Sequence, residues 1–397
     1  MFTFWPQSPE RRRRTADFSQ DTGMEPLVQQ IVGGWIRRGS SLCTIVSVAV
    51  VAMAAPAGAQ SASKTSAADW AARAGLVQET TVVATARGFG ARLVTTRPMA
   101  NHEVHRPGIL FIPWLSCDPV EVPGATDDGY IRFVRDLSVR SRMIVVRVEK
   151  PGVAGSPGPD CAASTLDDDF AAFHAGLAAL RSRRDVDMDR IFLVGGSIGG
   201  AFAVVLAAES PELVAGVVSV NSFARTWYEH MIDHERRRLT LAGTTPERFS
   251  PAMRGFELLY SQFLIGHRTP GQVLEYRPEL RSFWYDTENG QYGRSAAYFQ
   301  QVEALDVDGA LASLGVPALF IGGEYDWVMG AQEPAIAAAR VNRYHPGRAT
   351  ARVYPGLGHG MHVFASAEDS YHLRGGRYEP AVAADVARWL EHASGGR

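Results

Sequence analysis

Three features of the sequence predict an α/β fold with a mostly parallel sheet covered by helices. Short apolar segments of strand length recur along the chain, helical segments lie between them, and an antiparallel hairpin precedes both. The apolar segments are mostly continuous rather than alternating, as expected for strands that are covered on both faces. Hydrophobic residues make up 46% and charged residues 21% of the 397 residues, a balance typical of a globular protein rather than a disordered one.

The individual strands and helices are predicted from the spacing of apolar residues and from the turn residues between them. The hairpin is predicted over Thr80–Thr85 and Ala91–Thr95, which flank Gly88 and Gly90. Six further segments have the length of buried strands: Ile109–Ile112, Met143–Val148, Ile191–Val194, Val217–Val220, Ala318–Ile321 and Ala351–Tyr354. Three segments are predicted helices: Leu166–Arg181, Ala201–Glu209 and Val382–His392.

One long interval interrupts this alternation. From residue 222 to residue 312 the sequence shows no clear strand and is instead helical in pattern and rich in aromatic residues. A stretch of roughly 90 residues is too long for a loop in a compact domain. We interpret residues 222–312 as a helical cap inserted into a core that consists of residues 79–221 and 313–397.

Residues 1–59 are predicted to be an export signal. Arg37 and Arg38 precede an apolar run, Leu42–Ala55, which is shorter than the roughly 20 residues that span a bilayer. The run ends in Ala57-Gly58-Ala59, which fits the small-residue pattern of a signal cleavage site. The alternative is a short membrane anchor that stays attached. Residues before Met24 resemble an upstream extension, so that Met24 is a candidate start.

Composition and the signal restrict the partners that we expect. The formal net charge is −2, so the chain has no basic surplus for binding nucleic acid. Residues 60–78 are predicted to be a linker, and after removal of the signal we expect no stable insertion into a membrane. We therefore place the mature chain in the periplasm or outside the cell. The sequence gives no indication of its oligomeric state.

The strongest local motif is the glycine-rich turn Gly195-Gly196-Ser197-Ile198-Gly199-Gly200. It follows a predicted strand and leads into a predicted helix, the context of a nucleophile elbow. Glycines keep the crowded backbone around Ser197 free of side chains. The helix N-terminus supplies free N–H groups, and that of Ile198 is the expected oxyanion donor. The alternatives are an ordinary glycine-rich turn and a phosphate-binding loop, but the motif has neither the lysine nor the spacing of the latter.

A serine nucleophile needs a base, and the base needs an acid that orients it. After a nucleophile elbow the expected chain order is serine, acid, histidine. Asp326 comes just past the end of one predicted strand, and His359 lies between glycines after the next. We therefore predict Asp326 and His359 as acid and base. Glu324 is the second choice for the acid, and His362 is the less favoured base.

These motifs resemble the α/β-hydrolase superfamily over about Thr80 to Leu390. In detail the chain is similar to exported bacterial members that are often labelled esterases or peptidases. The segments that carry this likeness are Pro113-Trp114-Leu115-Ser116-Cys117-Asp118-Pro119-Val120-Glu121 and Val148-Glu149-Lys150-Pro151-Gly152. The resemblance implies an α/β-hydrolase fold with a Ser-His-Asp triad, and it leaves the substrate open.

The sequence departs from the superfamily pattern at two turns. Members often have His-Gly after the strand that corresponds to Ile109–Ile112, where this chain has Pro113-Trp114. Because proline has no N–H, the second oxyanion donor is expected to be the N–H of Leu115, or else that of Trp114. At the second turn Lys150 either binds a substrate carboxylate or pairs locally with an acid. The candidate substrate-binding residues are Trp114, Lys150, Trp227 and Tyr228.

Two cysteines remain after the signal, because Cys43 lies inside it. Cys117 and Cys161 follow neighbouring strands, and both loops are expected at the catalytic edge of the sheet. An even pair in an oxidising compartment favours a disulfide, and we predict one between Cys117 and Cys161.

A metal site and other cofactors are not expected. His230 and His234 are four residues apart on a predicted helix, a spacing that can hold zinc. However, no glutamate directly follows His230, and no third ligand is evident. We interpret the pair as part of a polar face of a cap helix, and we interpret His102 and His105 in the same way.

Three classes of function compete for these motifs. Hydrolysis of a carboxylic ester comes first, and a serine peptidase or amidase acting on short peptides or amides comes second. A non-catalytic binding protein on the same fold usually lacks a triad member, and this chain has all three. Haloalkane or epoxide chemistry requires an aspartate where Ser197 stands.

Overall fold

The structure is a computed structural model that describes residues 69–99, 105–122, 124 and 128–395. The predicted signal and the first part of the predicted linker lie outside these residues, as do Ala57-Gly58-Ala59 and His102. Within the described ranges no helix combines the length and the apolar character needed to cross a membrane.

A central sheet of eight strands organises the fold. Its strands are β1 (Leu76–Ala84), β2 (Gly90–Pro98), β3 (Arg106–Ile112), β4 (Ile144–Val148), β5 (Val186–Gly196), β6 (Gly216–Val220), β9 (Ala318–Gly323) and β10 (Ala349–Tyr354). They lie in the order β1-β2-β4-β3-β5-β6-β9-β10. The pairs β1–β2 and β2–β4 are antiparallel and all other pairs are parallel. The predicted α/β fold with a mostly parallel sheet is confirmed.

Helices connect the strands. They are α1 (Asp69–Arg73), α2 (Gly129–Ser141), α3 (Leu166–Arg181), α4 (Ile198–Glu209), α5 (Trp227–Leu241), α6 (Pro246–Tyr260), α7 (Pro270–Tyr276), α8 (Ala296–Glu303), α9 (Val307–Ser313), α10 (Glu333–Tyr344), α11 (Ala367–Tyr371) and α12 (Pro380–Gly395). All three predicted helices are present, whereas α2 and α10 were not predicted. Helix α1 and the start of β1 lie within the range predicted as a linker, because the β1–β2 pairing extends back to Leu76.

The strands alternate between two buried faces. On β3, Ile109 and Phe111 join a core with α2 and α12, whereas Leu110 and Ile112 join a core with α3, α4 and the segment after β6. All four side chains are fully buried. Burial on both faces explains why these strands appear in the sequence as continuous apolar runs.

Residues 222–312, which we call the cap segment, follow β6, contain α5 to α8 and end within α9. A two-residue ladder joins β7 (Gly290–Gln291) to β8 (Arg294–Ser295). Most aromatic residues of the segment pack against one another, as the ring pairs Phe256–Tyr260 and Phe263–Phe299 illustrate. The predicted helical character and aromatic interior of the segment therefore appear in the structure.

Two further short strands lie beyond β10. They are β11 (His362–Val363) and β12 (Arg377–Tyr378), and they pair antiparallel. Together with the turn after β10 they fix the segment that carries His359. The backbone N–H of Gly358 donates to the His362 carbonyl at 2.8 Å.

Candidate active site

Ser197 occupies a strained turn between β5 and α4. Its backbone has φ 57° and ψ −135°, a conformation that is costly for a non-glycine residue. A Cβ on Gly195 would lie 2.0 Å from the Gly199 carbonyl oxygen, and one on Gly199 would lie 2.3 Å from that of Pro113. The two glycines therefore allow the close backbone approach that presents Ser197 at the sheet edge.

The structure brings the three predicted triad residues together. The Ser197 Oγ lies 3.0 Å from His359 Nε2, and His359 Nδ1 lies 3.0 Å from Asp326 Oδ2. The Asp326 side chain is 1% exposed and that of His359 is 18% exposed. In this arrangement His359 donates from Nδ1 to the carboxylate, so that Nε2 is left to accept the serine proton; the tautomer is assigned from this network.

The second oxygen of Asp326 is held by its own turn. Asp326 Oδ1 accepts hydrogen bonds from the backbone N–H groups of Val328 at 3.0 Å and Met329 at 2.9 Å. The competing carboxylate, Glu324, is exposed and accepts from the N–H of Gly356 at 2.9 Å. The geometry therefore favours Asp326 over Glu324 as the partner of the histidine.

His362, the less favoured base, makes its contacts elsewhere than at Ser197. Its Nδ1 lies 2.6 Å from the Gly360 carbonyl oxygen, and its ring packs edge-on against Tyr378. Only His359 reaches Ser197 among the two histidines of this turn.

Two residues that the sequence analysis missed support His359. Asn221, directly after β6, has φ 49° and donates from Nδ2 to the carbonyl oxygens of His359 at 2.9 Å and Gly358 at 3.4 Å. The ring of Tyr130 lies edge-on to the imidazole with centroids 5.9 Å apart. Burial raises the pKa of the Tyr130 phenol well above its ordinary value, so that it stays protonated. An asparagine at the carboxyl end of a buried strand was the available sequence signal.

The expected oxyanion donors lie on the two segments that flank the serine. Ile198 is the first residue of α4, where helical N–H groups have no partner in the helix. Leu115 is half-buried in the loop after β3. Neither N–H donates a hydrogen bond to any of the described residues.

Two of the four predicted substrate-binding residues, Trp114 in the loop after β3 and Lys150 after β4, contact each other. The Lys150 Nζ lies 5.3 Å from the centre of the Trp114 ring and donates to the Asp118 carbonyl oxygen at 3.3 Å. Trp114 also stacks on Tyr130. Burial lowers the pKa of Lys150 to about 8, and Glu149 opposes that shift. Lys150 is 1% exposed, and among the described residues its side chain contacts a backbone carbonyl and an aromatic ring rather than forming an ion pair with an acid.

The two predicted residues of the cap segment also contact protein groups. Trp227 is buried and stacks on Phe299, with ring centroids 5.5 Å apart. The hydroxyl of Tyr228 donates to the Glu257 carbonyl oxygen at 3.5 Å. Trp227 therefore forms part of the interior of the cap segment, and Tyr228 faces α6.

Helix α5 also contacts the turn that holds Asp326. Arg237 donates to the Trp327 and Val328 carbonyl oxygens, each at 2.8 Å. His234 lies 3.3 Å from the same Val328 oxygen and stacks on Trp327. Burial and the neighbouring Arg237 lower the pKa of His234 to about 3. His230 and His234 are both buried on the polar face that the sequence predicted, and His234 packs against the turn of Asp326.

The predicted disulfide is present. Cys117 and Cys161 are bonded across 44 positions of sequence, with Cα atoms 5.9 Å apart. The bond links the loop that carries Leu115 to the loop that precedes α3.

The fold is that of an α/β hydrolase, and Ser197 lies on the turn between β5 and α4. Residues 123–366, more than half of the chain, match the family model of the α/β hydrolase fold. The chain belongs to this family. No curated protein matches its sequence.

Solved structures are similar to this chain at low sequence identity. Est1E from Butyrivibrio proteoclasticus, in a structure with bound ferulic acid, is 14% identical with a TM-score of 0.52; the match covers 79% of this chain and 99% of that one. An esterase from Pyrococcus furiosus is 11% identical with a TM-score of 0.48, over 81% of this chain and 92% of that one. At these identities the likeness concerns the fold.

Proposed function

We propose that this protein hydrolyses carboxylic esters through an acyl-enzyme intermediate on Ser197. The observation that carries the proposal is the continuous chain of 3.0 Å contacts from Ser197 Oγ through His359 to the buried carboxylate of Asp326. A serine hydroxyl is a weak nucleophile unless a base accepts its proton, and this arrangement supplies an oriented base.

In the first step Ser197 Oγ attacks the carbonyl carbon of the ester while His359 Nε2 takes its proton. The imidazolium that forms is stabilised by the carboxylate of Asp326, which remains ionised. The ester C–O bond then breaks, and the proton on Nε2 passes to the departing alkoxide. The products of this step are the free alcohol and the acyl group on Ser197.

The tetrahedral intermediate carries a negative oxygen that needs donors. We propose that the N–H groups of Ile198 and Leu115 bind it, since neither is used by the described residues. Removal of one such donor typically lowers kcat by about 10² to 10³. In the second step His359 activates a water molecule, which releases the carboxylic acid and restores the Ser197 hydroxyl.

We propose that the acyl group of the ester lies on the side of the site that the cap segment covers. The cap segment contacts the acid turn through α5 and is rich in buried aromatic side chains. Such walls favour uncharged acyl or aryl groups. Trp227 is the member of the predicted substrate-binding set that lies among these aromatic residues.

The experiment compares p-nitrophenyl esters of increasing acyl length with matched aminoacyl and dipeptidyl anilides. We expect turnover of the esters only, and the best chain length then measures the acyl site. Efficient cleavage of the anilides would instead support the serine peptidase or amidase alternative. Turnover of neither class, together with failure of a fluorophosphonate to label Ser197, would contradict the proposal.

Two variants provide the controls. S197A is expected to remove turnover and labelling while the melting temperature changes little. S182A alters an exposed serine at the end of α3 and should leave the rate unchanged. Turnover by S197A at the wild-type rate would exclude Ser197 as the nucleophile.

A further inference from the structure

Arg294 is a buried cation of the cap segment that contacts three core elements. Its Nε donates to the Leu115 carbonyl oxygen at 3.3 Å, and its Nη1 donates to the Cys161 carbonyl oxygen at 3.0 Å and to Ser164 Oγ at 2.5 Å. Its Nη2 donates to Asp169 Oδ2 at 2.6 Å. All three guanidinium nitrogens are thus engaged, each on a different part of the core.

The surroundings of Arg294 are built for a guanidinium. The Arg294 side chain is 1% exposed, and a buried cation is unfavourable without an opposite charge beside it. The carboxylate of Asp169, which is 2% exposed, supplies that charge. The guanidinium also lies over the ring of Tyr298, 4.3 Å from its centroid, and the Tyr298 hydroxyl donates to the same Asp169 oxygen at 3.1 Å. A lysine has a single donor nitrogen, so it cannot reach all of these acceptors in the plane that the guanidinium spans.

Two links hold the loop after β3 to the segment before α3. One is the disulfide between Cys117 and Cys161. The other is Arg294, which binds the carbonyl of Leu115, two residues before Cys117, and the carbonyl of Cys161 itself. The disulfide holds the loop at Cys117, and Arg294 holds it at Leu115, whose N–H is the proposed oxyanion donor.

We propose that Arg294 is a positioning residue for the oxyanion site: it holds Leu115 so that its N–H stays in place to bind the developing oxyanion. This inference rests on the proposed ester hydrolysis. Arg294 touches neither the substrate nor the triad, so that its effect passes through the backbone of Leu115.

The physical consequence is a selective loss of rate. An oxyanion forms only after attack, so a displaced donor weakens the transition state more than the bound substrate. Misplacement of a catalytic group by about 1 Å can cost about 10² in rate. We therefore expect R294M to lower kcat by about 10² and to leave KM within about threefold. R294K keeps a cation beside Asp169, so its kcat should fall by less than that of R294M.

The experiment measures kcat, KM and the affinity for an alkyl boronic acid in wild type, R294M and R294K. The adduct of the boronic acid with Ser197 has a tetrahedral boron and places one of its oxygens in the oxyanion site, so the affinity of the boronic acid should fall in proportion to kcat/KM. Active-site titration with a fluorophosphonate corrects for any misfolded fraction. R281M is the matched control, since Arg281 is an exposed cap arginine paired with Glu288; its kcat should equal that of wild type.

A second set of variants tests whether Arg294 acts through Leu115. L115P removes the proposed N–H donor, and R294M added to L115P should then change kcat by less than about threefold, because contacting groups are not additive. Multiplicative losses in the double variant would overturn the inference. An unchanged kcat and boronate affinity in folded R294M would also overturn it, whereas the absence of ester turnover in wild type would overturn the proposed function instead.

Discussion

Replacement of Asp326 by asparagine tests the proton path most directly. The carboxylate accepts from Val328 and Met329 on one oxygen and from His359 Nδ1 on the other. An asparagine can keep its carbonyl oxygen on the two backbone N–H groups, which places its NH₂ against His359 Nδ1. Because that nitrogen only donates, the imidazole must accept there and carry its proton on Nε2, facing Ser197.

The expected loss follows from this tautomer. A histidine with its proton on Nε2 cannot accept the serine proton, and the same exchange in a serine protease triad lowers kcat by about 10⁴. That factor corresponds to about 5.4 kcal/mol of activation free energy. The two backbone contacts of the side chain are retained, so the free energy of unfolding should change by only about 1 kcal/mol.

The assay is the steady-state hydrolysis of the best p-nitrophenyl ester, with the melting temperature measured in parallel. E324Q is the matched control, since Glu324 lies in the same turn but is exposed and contacts Gly356; its kcat should stay within about threefold of wild type. If D326N keeps more than about a tenth of the wild-type kcat, or if E324Q loses as much as D326N, the reasoning is refuted.

Three further predictions concern stability and geometry. Serine at both Cys117 and Cys161 should lower the free energy of unfolding by about 2–4 kcal/mol, measured in urea, because it releases a loop closed across 44 positions. N221A loses the contact to the His359 carbonyl oxygen, and it places alanine at a φ of 49°, which alanine adopts less readily than asparagine. We expect kcat to fall roughly tenfold, because the triad histidine is held less precisely. Burial holds the pKa of His234 at about 3, so the unfolded chain alone binds that proton below its ordinary pKa of about 6.5. The free energy of unfolding therefore falls as pH drops from about 6.5 to 3, and H234N should reduce that slope by about 1.4 kcal/mol per pH unit.

Each of these predictions has its own contrary result. Equal urea midpoints for the oxidised wild type and the cysteine variant would show that the disulfide does not stabilise the fold. Wild-type kcat in folded N221A would exclude a role for its contacts to the histidine backbone. H174N changes an exposed histidine of α3 and serves as the control for H234N; equal slopes in H234N and wild type would contradict the burial of His234.

The strands of the sheet were predictable because burial on both faces requires continuous apolar runs in the sequence. Strands β3, β4 and β6 and the second half of β5 are covered on both faces, so most of their side chains are apolar. The nucleophile turn was predictable for a related reason, since Gly195 and Gly199 occupy places where a Cβ would overlap backbone atoms. In both cases the physical constraint acts on a residue and its neighbours in sequence.

Other features escaped because their cause lies far along the chain. Arg294 contacts Leu115 across 179 positions, and Asn221 contacts His359 across 138. Arg294 stands in no local pattern that distinguishes it from other polar residues, and the position of Asn221 at the end of β6 does not reveal its partner. The amphipathic helix α2 was overlooked although Asp128 caps it, and the neutral state of His234 follows from packing against α5 neighbours and Trp327.

The sequence by itself determined the parallel sheet, the turn that bears Ser197, and the chain order of serine, acid and histidine, because each depends on short-range backbone and burial constraints. Only the tertiary structure decided that Asn221 donates to the His359 carbonyl, and that Lys150 is enclosed beside Trp114. Those outcomes depend on which loops the sheet edge brings within hydrogen-bond distance, and no local pattern encodes the distance between residues that are far apart in the chain.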